Sequence, residues 1–393
     1  MRILCTAPPA YDHILSLAPI AAAAARRGHQ VALCAPERFS NPVTSELGLE
    51  FIPAGQDWVR EFIDSAEETV LPDQMADFTT RFMVEMFCGE GAAIMAREVA
   101  EVIQKWEADL VIRDACEFGG YLAAEQLGLP HVSVAVLDYN YKFLVPGVTA
   151  ALNDLRAQLD LPPDPDGSRA FAHLHVDLAP AEFQPEESAI PNIRHYRPEA
   201  VRPGQHLPDW ITELDPDKPL VYASFGTAAA TLPEYAKPLS TVIAGLGELD
   251  CTAIVSTGKA ADWETDAPVA RDAVPPNVHL AEWVPQALLV RCADLVLTHS
   301  GPSTVRMALA NGVPMVSVPL LFDAFDVAQR CTDLGISIKL DWTALTPGEV
   351  ADACRRVLAE PGFRRRAKAI QRQALALPPV DDALIRDLES LTG

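Results

Sequence analysis

Residues 298–320, THSGPSTVRMALANGVPMVSVPL, set a histidine at the end of one apolar run, follow it with small residues, and close on a second apolar run. Read outward, DLVLTHS (294–300) is a strand, Gly301 and Pro302 turn the chain, residues 303–311 form a helix, and VPMVSVPL (313–320) is the next strand. Such a β-α-β unit implies a parallel sheet covered by helices. The helix start exposes unpaired backbone N–H groups and a partial positive charge, which make an anion site. Gly301 lets the backbone approach, and His299, Ser303 and Thr304 could complete the site. A second small-residue turn, SFGTAAA (224–230), follows another strand and could face the same anion. The plainer alternative makes Ser303 a helix cap and His299 a satisfied polar residue. The matching glycine turn favours the anion site.

The same alternation runs along most of the chain. MRILCTA, VALCA, DLVIRD (109–114) and HVSVAVL (131–137) read as strands separated by helical patterns. PLVYASFG (219–226), CTAIVSTG (251–258), NVHLAEW (277–283) and GISIKL (335–340) read likewise. The pattern weakens between 138 and 195. A stretch rich in Pro and charge around 197–219 reads as a linker between two domains. A length of 393 residues also favours two cores over one. The expected architecture is therefore α/β, two Rossmann-like domains whose parallel sheets face a central cleft, with ligands beyond the C-terminal strand ends. The net charge of −23 argues against nucleic-acid binding, which needs clustered Lys and Arg. No apolar run of membrane-spanning length occurs, and MRILCTAPPA lacks the pattern of a signal peptide, so a cytoplasmic location is expected. Eight cysteines without CxxC pairing suggest reduced thiols rather than a zinc site or disulfides.

WVPQALL (283–289), THSGPSTVRMAL and GVPMVSVPLLFDAFDVAQR (312–330) together resemble the nucleotide-sugar signature of family-1 glycosyltransferases of GT-B fold, among them the actinobacterial antibiotic and natural-product enzymes. The resemblance implies domains at 1–200 for the acceptor and 219–370 for the nucleotide sugar, a linker at 201–218, and C-terminal helices in 371–393 that could pack back on the first domain. It implies that Trp283 stacks on the nucleobase, a job that suits a flat indole. Val284 would meet the base edge through its backbone, and Gln286 would lie near the ribose. His299, Gly301, Ser303 and Thr304 would hold the diphosphate, with Gly226 and Thr227 on its other side. Asp323 would bind sugar hydroxyls. Four positions depart from the family's usual pattern, one being Pro302, where Trp or Gly is common. Met307 stands where a ribose-binding carboxylate is common, and Ala324 and Val327 stand where Gln and Asn are common. These losses point to a deoxysugar on a thymidine diphosphate.

In PPAYDHILSLAPIAAAAARRGHQV (8–31), His13 follows the first strand at a helix start. The family's general base is a histidine in this motif, and an imidazole titrating near neutrality suits deprotonation of a hydroxyl. His29 in the same stretch is assigned to structure. A carboxylate partner would fix the tautomer and stabilise the imidazolium. Asp114 at the end of DLVIRD is the candidate, Asp12 and Glu117 are alternatives, and a helix cap is the plainer role for Asp114. Met75, Phe78, Phe82 and Met86 recur at near-helical spacing, either as a core stripe or as an acceptor wall. Tyr139, Tyr141 and Phe143 are further acceptor candidates.

The resulting expectation is an inverting glycosyltransferase, with His13 and Asp114 catalytic, no metal and no cofactor besides the nucleotide-sugar co-substrate. Its partners would be that donor and an apolar small-molecule acceptor, with a homodimer left open. A nucleotide-sugar epimerase on the same scaffold and a non-catalytic transferase homologue are the rival readings. A dinucleotide oxidoreductase is disfavoured because no GxGxxG opens either domain.

Overall fold

A computed structural model describes residues 1–58, 78, 81–135, 146–184, 190–198, 205–226, 236–258 and 274–393. The chain divides into two compact units, Met1–Glu199 with Leu377–Gly393, and Ala200–Ala376. Among the described residues no helix is long and apolar enough to cross a membrane.

The first unit holds a seven-stranded sheet in the order β3-β2-β1-β4-β5-β6-β7, with every pairing parallel. Its strands are β1 (Arg2–Thr6), β2 (Gln30–Ala35), β3 (Glu50–Pro53), β4 (Leu110–Asp114), β5 (His131–Val134), β6 (Leu174–Asp177) and β7 (Ile193–His195). The helices are α1 (Tyr11–Arg26), α2 (Glu90–Trp106), α3 (Gly119–Gln126) and α4 (Pro146–Gln158). Helices cover both faces, so central strands such as RILCT and LVIRD are buried almost throughout and read as continuous apolar runs. Helix α1 seats Ile14, Leu17, Ile20 and Ala24 in the core, and Gly28, at φ +87°, lets the chain turn toward β2.

The second unit holds a six-stranded, all-parallel sheet in the order β10-β9-β8-β11-β12-β13. Its strands are β8 (Leu220–Ser224), β9 (Thr252–Ser256), β10 (Val278–Ala281), β11 (Leu295–Thr298), β12 (Met315–Ser317) and β13 (Ser337–Lys339). Its helices are α5 (Ala236–Gly247), α6 (Gln286–Cys292), α7 (Pro302–Asn311), α8 (Ala324–Asp333), α9 (Pro347–Ala359) and α10 (Pro361–Ala376).

The border expected at 370/371 falls inside α10. Residues 371–376 stay with the second unit, and only Leu377–Gly393 join the first. The second unit starts at Ala200 rather than at 219, and its early residues include a helical turn, Asp209–Thr212. In the returning segment, helix α11 (Ile385–Thr392) follows a wide turn at Val380–Leu384. Val380, Leu384, Ile385 and Leu388 enter the same core as Ile14, Leu17 and Tyr196. Polar contacts fasten the edges of this return. Arg26 Nη2 donates to Asp381 at 2.7 Å, Arg197 N to Pro378 O at 2.8 Å, and Tyr196 Oη to Asp387. His29 Nε2 meets Glu389 at 3.1 Å. All eight cysteines are free, and seven of them are buried.

Candidate active site

In each sheet the strand order reverses once, and loops leaving the two strands at that point diverge and open a crevice beyond their C-terminal ends. In the first sheet the neighbours at the reversal are β1 and β4, and in the second they are β8 and β11. Sequence reading put His13 and Asp114 at the first of these pairs, and Gly226, His299 and Gly301 at the second.

At the first reversal, His13 is the third residue of α1 and Asp114 is the last of β4. His13 Nδ1 lies 3.0 Å from Asp114 Oδ1. A carboxylate only accepts, so Nδ1 carries the proton and Nε2 is the basic nitrogen. The His13 side chain is 17% exposed and that of Asp114 is 0%. Asp114 Oδ1 also accepts from Cys116 N at 2.8 Å, and Ser16 Oγ lies 3.4 Å from Oδ2. The alternative partner Glu117 is engaged elsewhere. Its carboxylate accepts from Thr6 Oγ1 at 2.5 Å and from Gly120 N at 2.9 Å, and burial pushes its carboxyl above the usual carboxylate range. His13, Asp114 and Cys116 also bring ligand atoms within 4.8 Å of one another, the arrangement among the described residues that could hold a metal ion.

Phe87 stands beside His13, with ring centroids 6.3 Å apart. It meets Trp58 edge-on at 5.0 Å and Phe82 at 5.6 Å, and Phe78 stacks on Phe82 at 6.2 Å. Trp58, Met86 and Phe87 line a pocket with Pro8, Pro9 and Phe118. The core position in this segment belongs to Met83. Among the described residues of the near-helical run, Phe78, Phe82 and Met86 are each half-buried. Trp58, Phe87, Ser16 and Cys116 were absent from the sequence-based set. Met75, Tyr139, Tyr141, Phe143 and Thr227 lie outside the described residues.

At the second reversal, Gly301 caps α7 and Pro302 opens it, while Gly312, at φ +65°, ends it. Proline suits the first helical position because its missing N–H would be unpaired there anyway. The His299 ring is held between two glycines. A Cβ on Gly226 would come within 2.7 Å of it, and one on Gly301 within 2.5 Å. Gly226 also has φ +71°, and the buried Ser300 sits at φ +68°. Phe322, next to Asp323, is at φ +49°. Left-handed residues other than glycine are strained and cluster at functional sites. Trp283 leaves 68% of its surface exposed, whereas the Val284 side chain is buried. Gln286 Nε2 donates to Thr304 Oγ1 at 2.7 Å, so these two candidates are tied to each other.

Comparison with known proteins agrees with this fold. Residues 240–391 match the family described as erythromycin biosynthesis protein CIII-like, C-terminal domain. The chain is similar to 4'-demethylrebeccamycin synthase of Lentzea aerocolonigenes, 24% identical with 98% of each chain covered. It is also similar to 3-alpha-mycarosylerythronolide B desosaminyl transferase of Saccharopolyspora erythraea, 24% identical over 96% of this chain and 95% of the relative. Its fold matches that of the glycosyltransferase VinC, solved in complex with dTDP, at a TM-score of 0.75 and 24% identity, over 100% of this chain and 99% of that one. Two all-parallel sheets, each reversing once, and these full-length likenesses define a glycosyltransferase of GT-B fold. Within that class the chain is similar to the antibiotic glycosyltransferases of actinobacteria.

Proposed function

We propose that this glycosyltransferase moves a deoxysugar from a thymidine diphosphate donor to a hydroxyl of an apolar natural product, by one inverting displacement with His13 as general base. The bond between His13 Nδ1 and Asp114 Oδ1, at 3.0 Å beside an aromatic-lined pocket, carries this reading. The acceptor oxygen attacks the anomeric carbon and gives its proton to His13 Nε2. The bond to the diphosphate breaks, and its electron pair leaves with the nucleotide. Asp114, buried beside the ring, stabilises the imidazolium. His299, the α7 start, Ser303 and Thr304 oppose the growing diphosphate charge, with Thr227 beside Gly226 as a further donor.

The dTDP in VinC and the desosaminyl activity named for the erythromycin relative support the donor class. So does the chemistry of Met307, Ala324 and Val327. A thioether cannot accept from a ribose diol as a carboxylate does, and an unpaired buried hydroxyl costs roughly 1–3 kcal/mol. Trp283 is the base platform, Val284 meets the base edge through its backbone, Gln286 lies toward the ribose and Asp323 grips a remaining sugar substituent.

Calorimetry with thymidine and uridine diphosphates, paired with an acceptor screen read by mass spectrometry, tests this reading. Thymidine diphosphate should bind more tightly, and His13→Ala should retain that affinity while losing about two to four powers of ten in transfer. Tighter uridine diphosphate binding with transfer of a fully hydroxylated hexose would overturn the donor assignment. Parental turnover by the His13 variant would overturn the base.

A further inference from the structure

Arg113 precedes Asp114 in β4, so strand alternation sends the two side chains to opposite faces. Its guanidinium is 0% exposed. Nη1 donates to Asp114 O at 3.1 Å, Ala115 O at 2.9 Å and Glu117 O at 3.1 Å, and Nη2 donates to Ala170 O at 2.8 Å. The rings of Phe118, Tyr121 and Phe171 surround it, with centroids 5.3, 5.6 and 5.6 Å from its central carbon. One buried cation therefore gathers three carbonyls of the turn that follows β4. On the other side of that turn, the Asp114 carboxylate takes the Cys116 N–H and faces His13.

We infer that Arg113 is a positioning residue for the catalytic pair, a role that rests on His13 acting as base. The turn is pinned from both sides. Its carbonyls converge on the guanidinium, and one of its N–H groups converges on the carboxylate. Without the cation, the carbonyls of Ala115 and Glu117 lose this donor and that of Asp114 keeps the Glu117 N–H at 3.0 Å, so the turn has reason to rotate toward other partners. Rotation of the Asp114 peptide moves the carboxylate from His13 Nδ1. Arginine suits the position because its planar fork serves several carbonyls while staying charged in an apolar setting. A lysine offers one compact head and deprotonates more readily when buried.

The test uses full-length protein with nitrogen-labelled histidine, His13 being assigned by loss of its signals in His13→Gln. Arg113→Met and Arg113→Lys are compared with the parent by the His13 tautomer, the pH–rate profile, and kcat and KM for the thymidine diphosphate donor. The Nδ1–H tautomer should dominate in the parent, decline in the Lys variant and be lost in the Met variant. Values of kcat should follow the same order, falling about 100-fold in Met, with donor KM unchanged. If Met fails to fold, as judged by near-ultraviolet circular dichroism, the Lys variant alone decides. A folded variant that keeps the parental tautomer and pH profile would overturn the inference. The tautomer reading does not depend on turnover. If His13→Ala keeps parental transfer while the Arg113 variants still shift the His13 ring, the base assignment falls and the positioning of the ring by Arg113 stands.

Discussion

Asp114 has no exposed surface, and its carboxylate serves both His13 and the backbone of Cys116. An amide at this position keeps the volume and one acceptor but removes the charge that offsets an imidazolium. Asp114→Asn should therefore lower kcat by about two to four powers of ten with thymidine diphosphate affinity unmoved. Steady-state rates beside calorimetric affinities check this, and a variant as fast as the parent would remove Asp114 from the reaction. In the second unit the sensitive positions are glycines. A methyl group on Gly226 or Gly301 meets the His299 ring at 2.7 or 2.5 Å, and Gly226 adds a φ of +71° that alanine resists. Gly226→Ala and Gly301→Ala should weaken thymidine diphosphate binding about 10- to 100-fold, the range for losing a hydrogen bond to a charged group. Thymidine, which has no phosphate, should be spared. Equal loss for nucleoside and nucleotide would show that the ring does not meet the diphosphate.

The returning C-terminal segment fills the first unit's core with side chains that have no solvent exposure at Leu384, Ile385 and Leu388. Leu388→Ala should cost about 2–5 kcal/mol by leaving a cavity. The loss belongs to the first unit. Hydrogen exchange should quicken in β1 and β4 while β8 and β11 keep their protection. Uniform acceleration in both sheets would mean that the two units unfold together. Elements differ in how plainly the sequence announced them. Strands β1, β4, β8 and β11 are apolar runs closed by polar residues, and their ends gave His13, Asp114 and His299 directly. Strands β6 and β7 fell in the stretch where the pattern weakened, because LHVD has two polar residues in four and IRH two in three. The polar groups of β6 are buried and find partners elsewhere in the fold, whereas Arg194 of β7 is exposed. His175 Nδ1 pairs with Ser133 Oγ at 2.6 Å, and Asp177 takes the Ala179 N–H at 2.8 Å. Hydropathy cannot register a partner that lies 42 residues away. The same limit hid the surroundings of the His13–Asp114 pair, since Ser16 meets Asp114 across 98 residues and Arg113 meets the turn through its carbonyls.

The molecule as a whole should be weakened by acid. Burial, then the nearby Arg113 charge, pushes the His175 imidazole down to about 3 and His131 well below its ordinary value. His195 also faces His175, and His173 and Arg156 face His131. Both rings stay neutral in the folded chain while the unfolded chain begins to bind protons near pH 6.5. Stability is then complete above that pH and falls as pH drops below it, by up to about 1.4 kcal/mol per unit for each ring. Glu117, held up by burial, gives a slope of opposite sign above its ordinary value. The urea midpoint of the first unit should decline between pH 7 and pH 5 and flatten in His175→Phe; an unchanged midpoint would contradict the neutral rings. On the proposed donor site, transfer should also survive excess chelator, because a helix start and an imidazole would oppose the diphosphate charge. Strict dependence on restored magnesium would refute this.

The first unit is begun by Met1 and closed by Leu377–Gly393, with the second unit threaded between. Domains usually mature in the order of their synthesis. Here the order is inverted. While the chain is still being made, residues 200–376 are all in place before the groove on α1 receives its last helix. A nascent or prematurely terminated product therefore carries an open apolar groove, which chaperones and proteases recognise. Completion of the first unit thus waits on the synthesis of Leu377–Gly393.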